Sequence, residues 1–194
     1  IKDLRGYYAQ ITALDDCIGM LQKAIKDMGI EENTIFVFTS DHGDMLGSQG
    51  MRWKQRPYDE SIRVPFLIKY PALLADKNRE TDMIINTPDI LPTLLGLSDI
   101  EIPESIEGDD LSDIITGEKE DYTDAALIEC ITPFADFRKG IGREYRGLRT
   151  KRYTYVRDLN GPWLMFDNLK DPYQQNNIID SPEYASVRKE LDDK

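Results

Sequence analysis

The stretch Phe36-Val37-Phe38-Thr39-Ser40-Asp41-His42-Gly43-Asp44 concentrates the groups that could do chemistry. An apolar run stops abruptly, and a carboxylate, an imidazole and a glycine follow at once. If the run is a strand of an open α/β sheet, ligands bind beyond its carboxyl end. Asp41 and His42 then stand where they could share a metal ion, and Gly43 lets the backbone turn away close beside them. His42 is the only histidine, so any imidazole chemistry in this chain uses it. The alternative is purely local: Asp41 caps the next turn and His42 is a surface loop residue.

A second cluster follows in Gly47-Ser48-Gln49-Gly50-Met51-Arg52-Trp53-Lys54-Gln55-Arg56. Arg52, Lys54 and Arg56 could bind an oxyanion, Lys as a compact point charge and Arg as a fork; otherwise the segment is a solvated basic loop. In Pro57-Tyr58-Asp59-Glu60-Ser61-Ile62-Arg63-Val64-Pro65, Asp59 or Glu60 could pair with a nearby cation and hold it, or simply form a helical turn. The two cysteines, Cys17 and Cys130, are too few for a disulfide framework and lack metal-type spacing. Cys17 lies beside an apolar helical stripe and reads as packed rather than reactive.

The elements that must position these groups begin with Tyr7, Ile11, Leu14, Ile18, Leu21 and Ile25, spaced alternately by four and three, which is one face of a helix. Gly29 supplies the stop. Residues 34–39 are β-branched or aromatic without alternation, so both faces should be buried, as in a parallel central strand. Residues 40–63 read as loop and 64–70 as a second strand closed by Pro71. Residues 87–96 read as a short helix with Thr87 as cap, Pro88 at the first position and Gly96 as stop; Pro92 is awkward inside it. Residues 98–124 read as acidic loop.

Beyond that the texture changes. Short strands are expected at 126–131, 145–149, 152–157 and 163–167, with Asn160-Gly161 marking a hairpin. A terminal helix is expected at 182–191, with Ser181 as cap. The division is therefore 1–124 as part of an α/β unit and 125–194 as a small α+β unit with an antiparallel sheet.

Composition bounds the function. The chain has 194 residues, and 36 acidic against 24 basic residues give a formal net charge of −12. That balance argues against a nucleic-acid binder, whose affinity rests on neutralising phosphates. It suits cations, and an anionic substrate would need a local basic pocket. Hydrophobic residues at 40% exclude whole-chain disorder. No apolar run approaches the roughly 20 residues of a membrane helix. The opening Ile1-Lys2-Asp3-Leu4 enters a helical pattern almost at once, and reads as the start of a piece of a longer chain.

In order along the chain, Tyr8-Ala9, Leu14-Asp15, Ile18-Gly19, then 33–43, Leu46-Gly47, Gly50, Lys54 and 58–65 resemble the sulfatases of the alkaline-phosphatase-like superfamily. Residues 87–96, 107–111, 146–155, Phe166-Asp167, Asp171-Pro172 and Asn176-Asn177 extend the resemblance over nearly the whole chain. It implies a partial alkaline-phosphatase-like α/β sandwich, mostly parallel strands with helices, plus a small C-terminal antiparallel sheet with a terminal helix. Asp41 and His42 match two ligands of a divalent metal, usually calcium, and Lys54 matches the lysine that contacts the sulfate. Arg52 and Arg56 have no counterpart. In Gly47-Ser48-Gln49-Gly50, Gln49 stands where a histidine is often found.

The resemblance also implies what must come from elsewhere. The nucleophile would be a formylglycine made in a Cys/Ser-x-Pro/Ala-x-Arg motif, which neither Cys17-Ile18-Gly19 nor Cys130-Ile131-Thr132 fits, and an acidic pair would complete the metal site. Both belong to a missing N-terminal half. The expected function is the C-terminal portion of a sulfuric ester hydrolase acting on a sulfated small molecule or glycan, and this chain alone should be inactive. Its expected partners are that substrate and its own N-terminal half, with self-association of the isolated piece. A phosphonate or phosphate ester hydrolase of the same superfamily and a non-catalytic binding domain are the alternatives. Family analogy favours the periplasm or secretion.

Overall fold

The computed structural model describes residues 2–74, 78–133 and 142–194. The chain opens with helix α1 (Lys2–Asp27), which ends where Gly29 takes a left-handed φ of 69°. Its apolar stripe lies on one face, as the spacing requires, yet Tyr7, Ile11, Leu14 and Leu21 are exposed and only Ile18 and Ile25 are partly covered. Cys17 is exposed for the same reason, which corrects the expectation that it is packed.

A 3-10 turn at Glu31–Asn33 leads into strand β1 (Phe36–Thr39). The Thr34 hydroxyl donates to the Ile30 carbonyl at 2.7 Å, so Thr34 finishes the turn instead of starting the strand. After a long excursion, the one-turn helix α2 (Asp59–Ile62) precedes strand β2 (Phe66–Lys69). β1 and β2 pair antiparallel, with Phe36 opposite Lys69 and Thr39 opposite Phe66. The expected parallel arrangement is therefore corrected among the described residues. A parallel neighbour needs a crossover back to the far end of the sheet; here the chain leaves and re-enters the sheet at one end. The expected burial of both faces is corrected too, because no residue of β1 is fully buried and Leu67 of β2 is exposed. Two strands alone cannot cover their own faces.

Helix α3 (Pro71–Leu74) follows β2. Helix α4 (Thr87–Leu97) is capped by Asn86 rather than Thr87. The Asn86 side chain accepts from the Thr87 amide at 2.9 Å, and the Asp89 carboxylate accepts from the Asn86 amide at 2.8 Å, a reciprocal capping box. Gly96 lies inside α4 and not at its stop; an added Cβ there would meet the Asp110 carboxylate at 2.3 Å. The stretch expected as acidic loop contains a short helix, α5 (Ser112–Thr116), whose Ile114 is buried.

Strands β3 (Ala125–Cys130), β4 (Tyr145–Thr150), β5 (Tyr153–Asp158) and β6 (Gly161–Asp167) form an antiparallel sheet in sequence order. The β5–β6 hairpin turns through Leu159-Asn160, with Gly161 at a φ of 120° and the Asn160 amide donating to the Asp158 carboxylate at 2.7 Å. The terminal helix α6 (Ala185–Asp193) begins after a 3-10 turn at Pro182–Tyr184, and the Ser181 side chain makes no capping hydrogen bond. Side chains alternate across the sheet. One face, with Ile128, Tyr145, Val156 and Phe166, packs on Met45 and Tyr58. The other, with Tyr155 and Met165, packs on Ile179 and Leu191. The four-stranded sheet thus supports the loop that carries the candidate site.

Candidate active site

Beyond the end of β1 the backbone folds Asp41 and His42 onto themselves. The Ser40 hydroxyl donates to the His42 carbonyl at 2.8 Å, and the His42 amide donates to Asp41 Oδ1 at 3.0 Å. His42 Nδ1 lies 2.8 Å from the Gly43 carbonyl oxygen, and His42 Nε2 lies 2.7 Å from Lys54 Nζ. An ammonium group only donates, so Nε2 accepts and Nδ1–H points at the Gly43 carbonyl. Asp41 Oδ2 stands 3.4 Å from the same Nε2. The structure thus brings Asp41, His42 and Lys54 together, with the His42 imidazole between the carboxylate and the ammonium group.

With the Lys54 ammonium moved off Nε2, Asp41 and His42 could contribute two donors to a metal ion. An imidazole that ligates a metal usually donates its other N–H to a carbonyl or carboxylate, as His42 does to Gly43. Two bonds of about 2.3 Å at right angles would put their donor atoms roughly 3.3 Å apart, close to the Asp41–His42 spacing. Among the described residues no group of three or more His, Cys, Asp and Glu could hold a metal ion, so Asp41 and His42 would need ligands from elsewhere.

The loop behind these groups is held tightly and at a conformational cost. The Gly43 amide donates to the Ser61 carbonyl at 2.9 Å, and a Cβ on Gly43 would lie 2.0 Å from the Glu60 carbonyl oxygen. Asp44 Oδ1 accepts from the Leu46 amide at 2.8 Å and the Trp53 amide at 3.3 Å, while the Met45 amide donates to the Trp53 carbonyl at 2.9 Å. Leu46, Gln49, Trp53 and Gln55 all have left-handed φ values, between 46° and 67°. Each costs about 1–3 kcal/mol and persists only where surroundings enforce it. Two of them, Trp53 and Gln55, flank Lys54.

Among the three clustered cations, Lys54 is the one placed at His42. Arg52 is exposed. Arg56 is half-buried and faces the sheet: its charge works against the burial that raises the Cys130 thiol and the Tyr145 phenol. Asp59 pairs loosely with a nearby cation, Arg63 Nη1 at 3.9 Å, and closely with one 90 positions away: Arg149 Nε and Nη2 donate to its two carboxylate oxygens, each at 2.9 Å. Gln49 faces away from His42, its Nε2 donating to the Tyr173 carbonyl at 2.8 Å, with the Gln174 carbonyl at 3.2 Å. Sequence reasoning missed Arg149 and Gln174, because no local pattern distinguishes a strand arginine or a turn glutamine that reaches another element.

Residues 47–194 match the family described as N-sulphoglucosamine sulphohydrolase, C-terminal. The chain is 50% identical over 195 residues to an ulvan-active sulfatase of Formosa agariphila, covering 100% of this chain and 38% of that protein. A structure solved in complex with its substrate D-glucosamine-2-N,6-O-disulfate superposes with a TM-score of 0.84 at 31% identity, over 94% of this chain and 37% of that one. The phosphonate monoester hydrolase of Agrobacterium radiobacter superposes with a TM-score of 0.82 at 28% identity, over 96% and 39%. The chain therefore spans less than two fifths of the length of these relatives.

Proposed function

The chain belongs to the N-sulphoglucosamine sulphohydrolase C-terminal family of sulfatases, and on that premise we propose that it is the C-terminal part of a sulfuric ester hydrolase cleaving a sulfate ester on a carbohydrate. The observation that carries this reading is that, beyond the end of β1, His42 Nε2 has Asp41 Oδ2 at 3.4 Å and Lys54 Nζ at 2.7 Å. Asp41 and His42 would hold a divalent cation together with ligands from an N-terminal part: calcium is the metal the resemblance implies, the carboxylate suits a hard cation, and the softer imidazole leaves room for another divalent metal. Bound there, the cation would act as a Lewis acid on the sulfate oxygens. The nucleophile would be a formylglycine on that N-terminal part, since neither cysteine of this chain stands in the required motif.

What these residues do themselves follows from their chemistry. Lys54 supplies a compact positive charge to the sulfate oxygens, where it counts most as negative charge gathers in the transition state. The Gly43 carbonyl fixes the His42 ring through Nδ1, and the constrained backbone around Lys54 keeps its ammonium at His42. A carbohydrate substrate is supported by the sulfated sugar bound to the superposable protein. The phosphonate monoester hydrolase neighbour favours a second reading, hydrolysis of a phosphonate or phosphate ester by the same arrangement.

The test uses the protein that joins this chain to its N-terminal part. Turnover of sulfated sugars, aryl sulfates and aryl phosphonates would be compared with and without chelator. Sulfate esters should be preferred, and Lys54→Ala should lower kcat/KM about 100-fold. Preference for phosphonates would establish the second reading, and an unaffected Lys54→Ala would sink the role given to the lysine. The 194-residue chain by itself should turn over no aryl sulfate and bind calcium weakly, since calcium takes six to eight oxygens.

A further inference from the structure

Gln174 is 2% exposed and lies in the turn that follows β6, far in sequence from the Lys54 loop. Its side chain nonetheless reaches the end of that loop. The Asp59 amide donates to Gln174 Oε1 at 2.8 Å, and Gln174 Nε2 has Asp59 Oδ1 at 3.3 Å. The same Nε2 lies 2.9 Å from both Thr154 Oγ1 and Asn168 Oδ1, which tie it to β5 and the exit of β6. The other end of the loop comes to the same place, because Gln49 Nε2 donates to the carbonyls of Tyr173 and Gln174. Both Gln49 and Gln174 hold left-handed φ values, 56° and 52°, so each residue adopts an unfavourable backbone to make these bonds. Arg149 completes the arrangement by fixing the Asp59 carboxylate from β4.

We infer that Gln174 is a positioning residue: with Asp59 and Arg149 it clamps both ends of the 49–59 segment to the four-stranded sheet and so fixes where Lys54 meets His42. The importance of that placement rests on the reading of Lys54 as the sulfate-binding lysine, whereas the clamp itself is a statement about the loop. A buried amide side chain linking two strands, a helix start and a loop does so with hydrogen bonds that have no water to replace them, so cutting it leaves polar groups stranded. The loop then loses its register on the sheet while the sheet keeps its own ladder.

The decisive variant is Gln174→Met, which keeps the side-chain volume and removes the hydrogen bonds of this side chain to Asp59, Thr154 and Asn168, while the bonds from Gln49 to the backbone carbonyls stay in place. Hydrogen exchange would be followed at the amides of Met45, Gly47 and Met51, which are bonded within the loop, and at strand amides of β5 and β6 as controls. Loop exchange should quicken at least about tenfold while the strand amides stay protected. Unchanged loop protection, or loosening shared equally by the strands, would overturn the clamp. Should Gln174→Met fail to fold, Gln49→Met cuts the other attachment and must give the same loop-confined result. In the protein joined to its N-terminal part, Gln174→Met should lower kcat/KM about tenfold, and by less than about twofold in a Lys54→Ala background, because the clamp acts through that lysine. Equal losses in both backgrounds would overturn that coupling. Full turnover by Lys54→Ala would instead defeat the assignment of the lysine, leaving the clamp to be decided by exchange.

Discussion

At Gly43 a side chain is excluded by backbone rather than by another side chain. An added Cβ would lie 2.0 Å from the Glu60 carbonyl oxygen, and the Gly43 amide is already bonded to Ser61. Neither neighbour is the end of a flexible chain, so Gly43→Ala must push α2 away from the His42 segment. Because the Gly43 carbonyl faces His42 Nδ1, the displacement reaches the imidazole directly. Gly43→Ala should therefore lower the unfolding free energy by about 1–3 kcal/mol in urea titrations and shift the His42 ring resonances in NMR spectra. The matched control is Gly19→Ala in α1, where nothing lies within 4 Å of the added carbon. There the change should be neutral or stabilising by about 0.5–1 kcal/mol. Equal behaviour of the two variants would show that close approach at Gly43 does not constrain the site.

Among the elements, β5 and β6 are joined at one end by their hairpin and at the other by an ion pair. Arg152, at the β4–β5 turn, donates Nη2 to Asp167 Oδ2 at 2.7 Å, with Nε between both oxygens, and Asp167 is almost wholly buried. The Arg152 hydrogen bonds hold the Asp167 carboxyl below its ordinary range, in spite of burial that pushes the other way. A folded-state pKa below the unfolded one stabilises at pH above the unfolded value, about 3.9, and that contribution fades as the pH falls through the folded value. Asp167→Asn should thus cost about 1–2 kcal/mol at pH 7, after discounting for the solvent-facing side of Arg152. The gap to the unmodified chain should close below about pH 4 in urea titrations run at stepped pH. A gap independent of pH would remove the ion pair from the account. The elements themselves were largely readable in the residues. The four-three stripe marked α1, and Asn160-Gly161 marked the β5–β6 turn. The α4 cap fell one residue early because Asp89 answers Asn86, a reciprocity that Thr87 lacks. Strand direction was not readable, since an unbroken apolar run says nothing of the sense of its neighbour. The proximity of Asp41, His42 and Lys54 could be anticipated because two lie side by side and the third sits in a loop singled out by its charges. The Asp59–Arg149 and Asp59–Gln174 links were not, because they join distant segments that no local pattern connects.

At the scale of the whole molecule, the accessible surface is 13363 Å². A compact monomer of 22.3 kDa would expose about 9,400 Å². The difference, roughly 4,000 Å², is of the size that permanent interfaces bury. Much of it is apolar and contiguous in sequence: Tyr7, Tyr8, Ile11, Leu14 and Leu21 on α1 are exposed, as is Leu67 on β2. Both buried clusters, by contrast, are built on the four-stranded sheet. Soluble monomers seldom leave apolar patches of this extent uncovered. The same surface explains why the stripe on α1 has the spacing of a core-facing helix while its side chains meet solvent. A covering layer that belongs to the remaining three fifths of the relatives' length would satisfy both facts. The 194-residue chain alone should therefore self-associate, with a mass by light scattering that rises with concentration. Ile11→Lys combined with Leu14→Lys should bring that mass toward the monomer without altering helix content by circular dichroism. Joining the chain to its N-terminal part should do the same with the natural residues in place. A monomeric mass at high concentration in the unmodified chain would mean that the apolar face of α1 is not a surface awaiting cover.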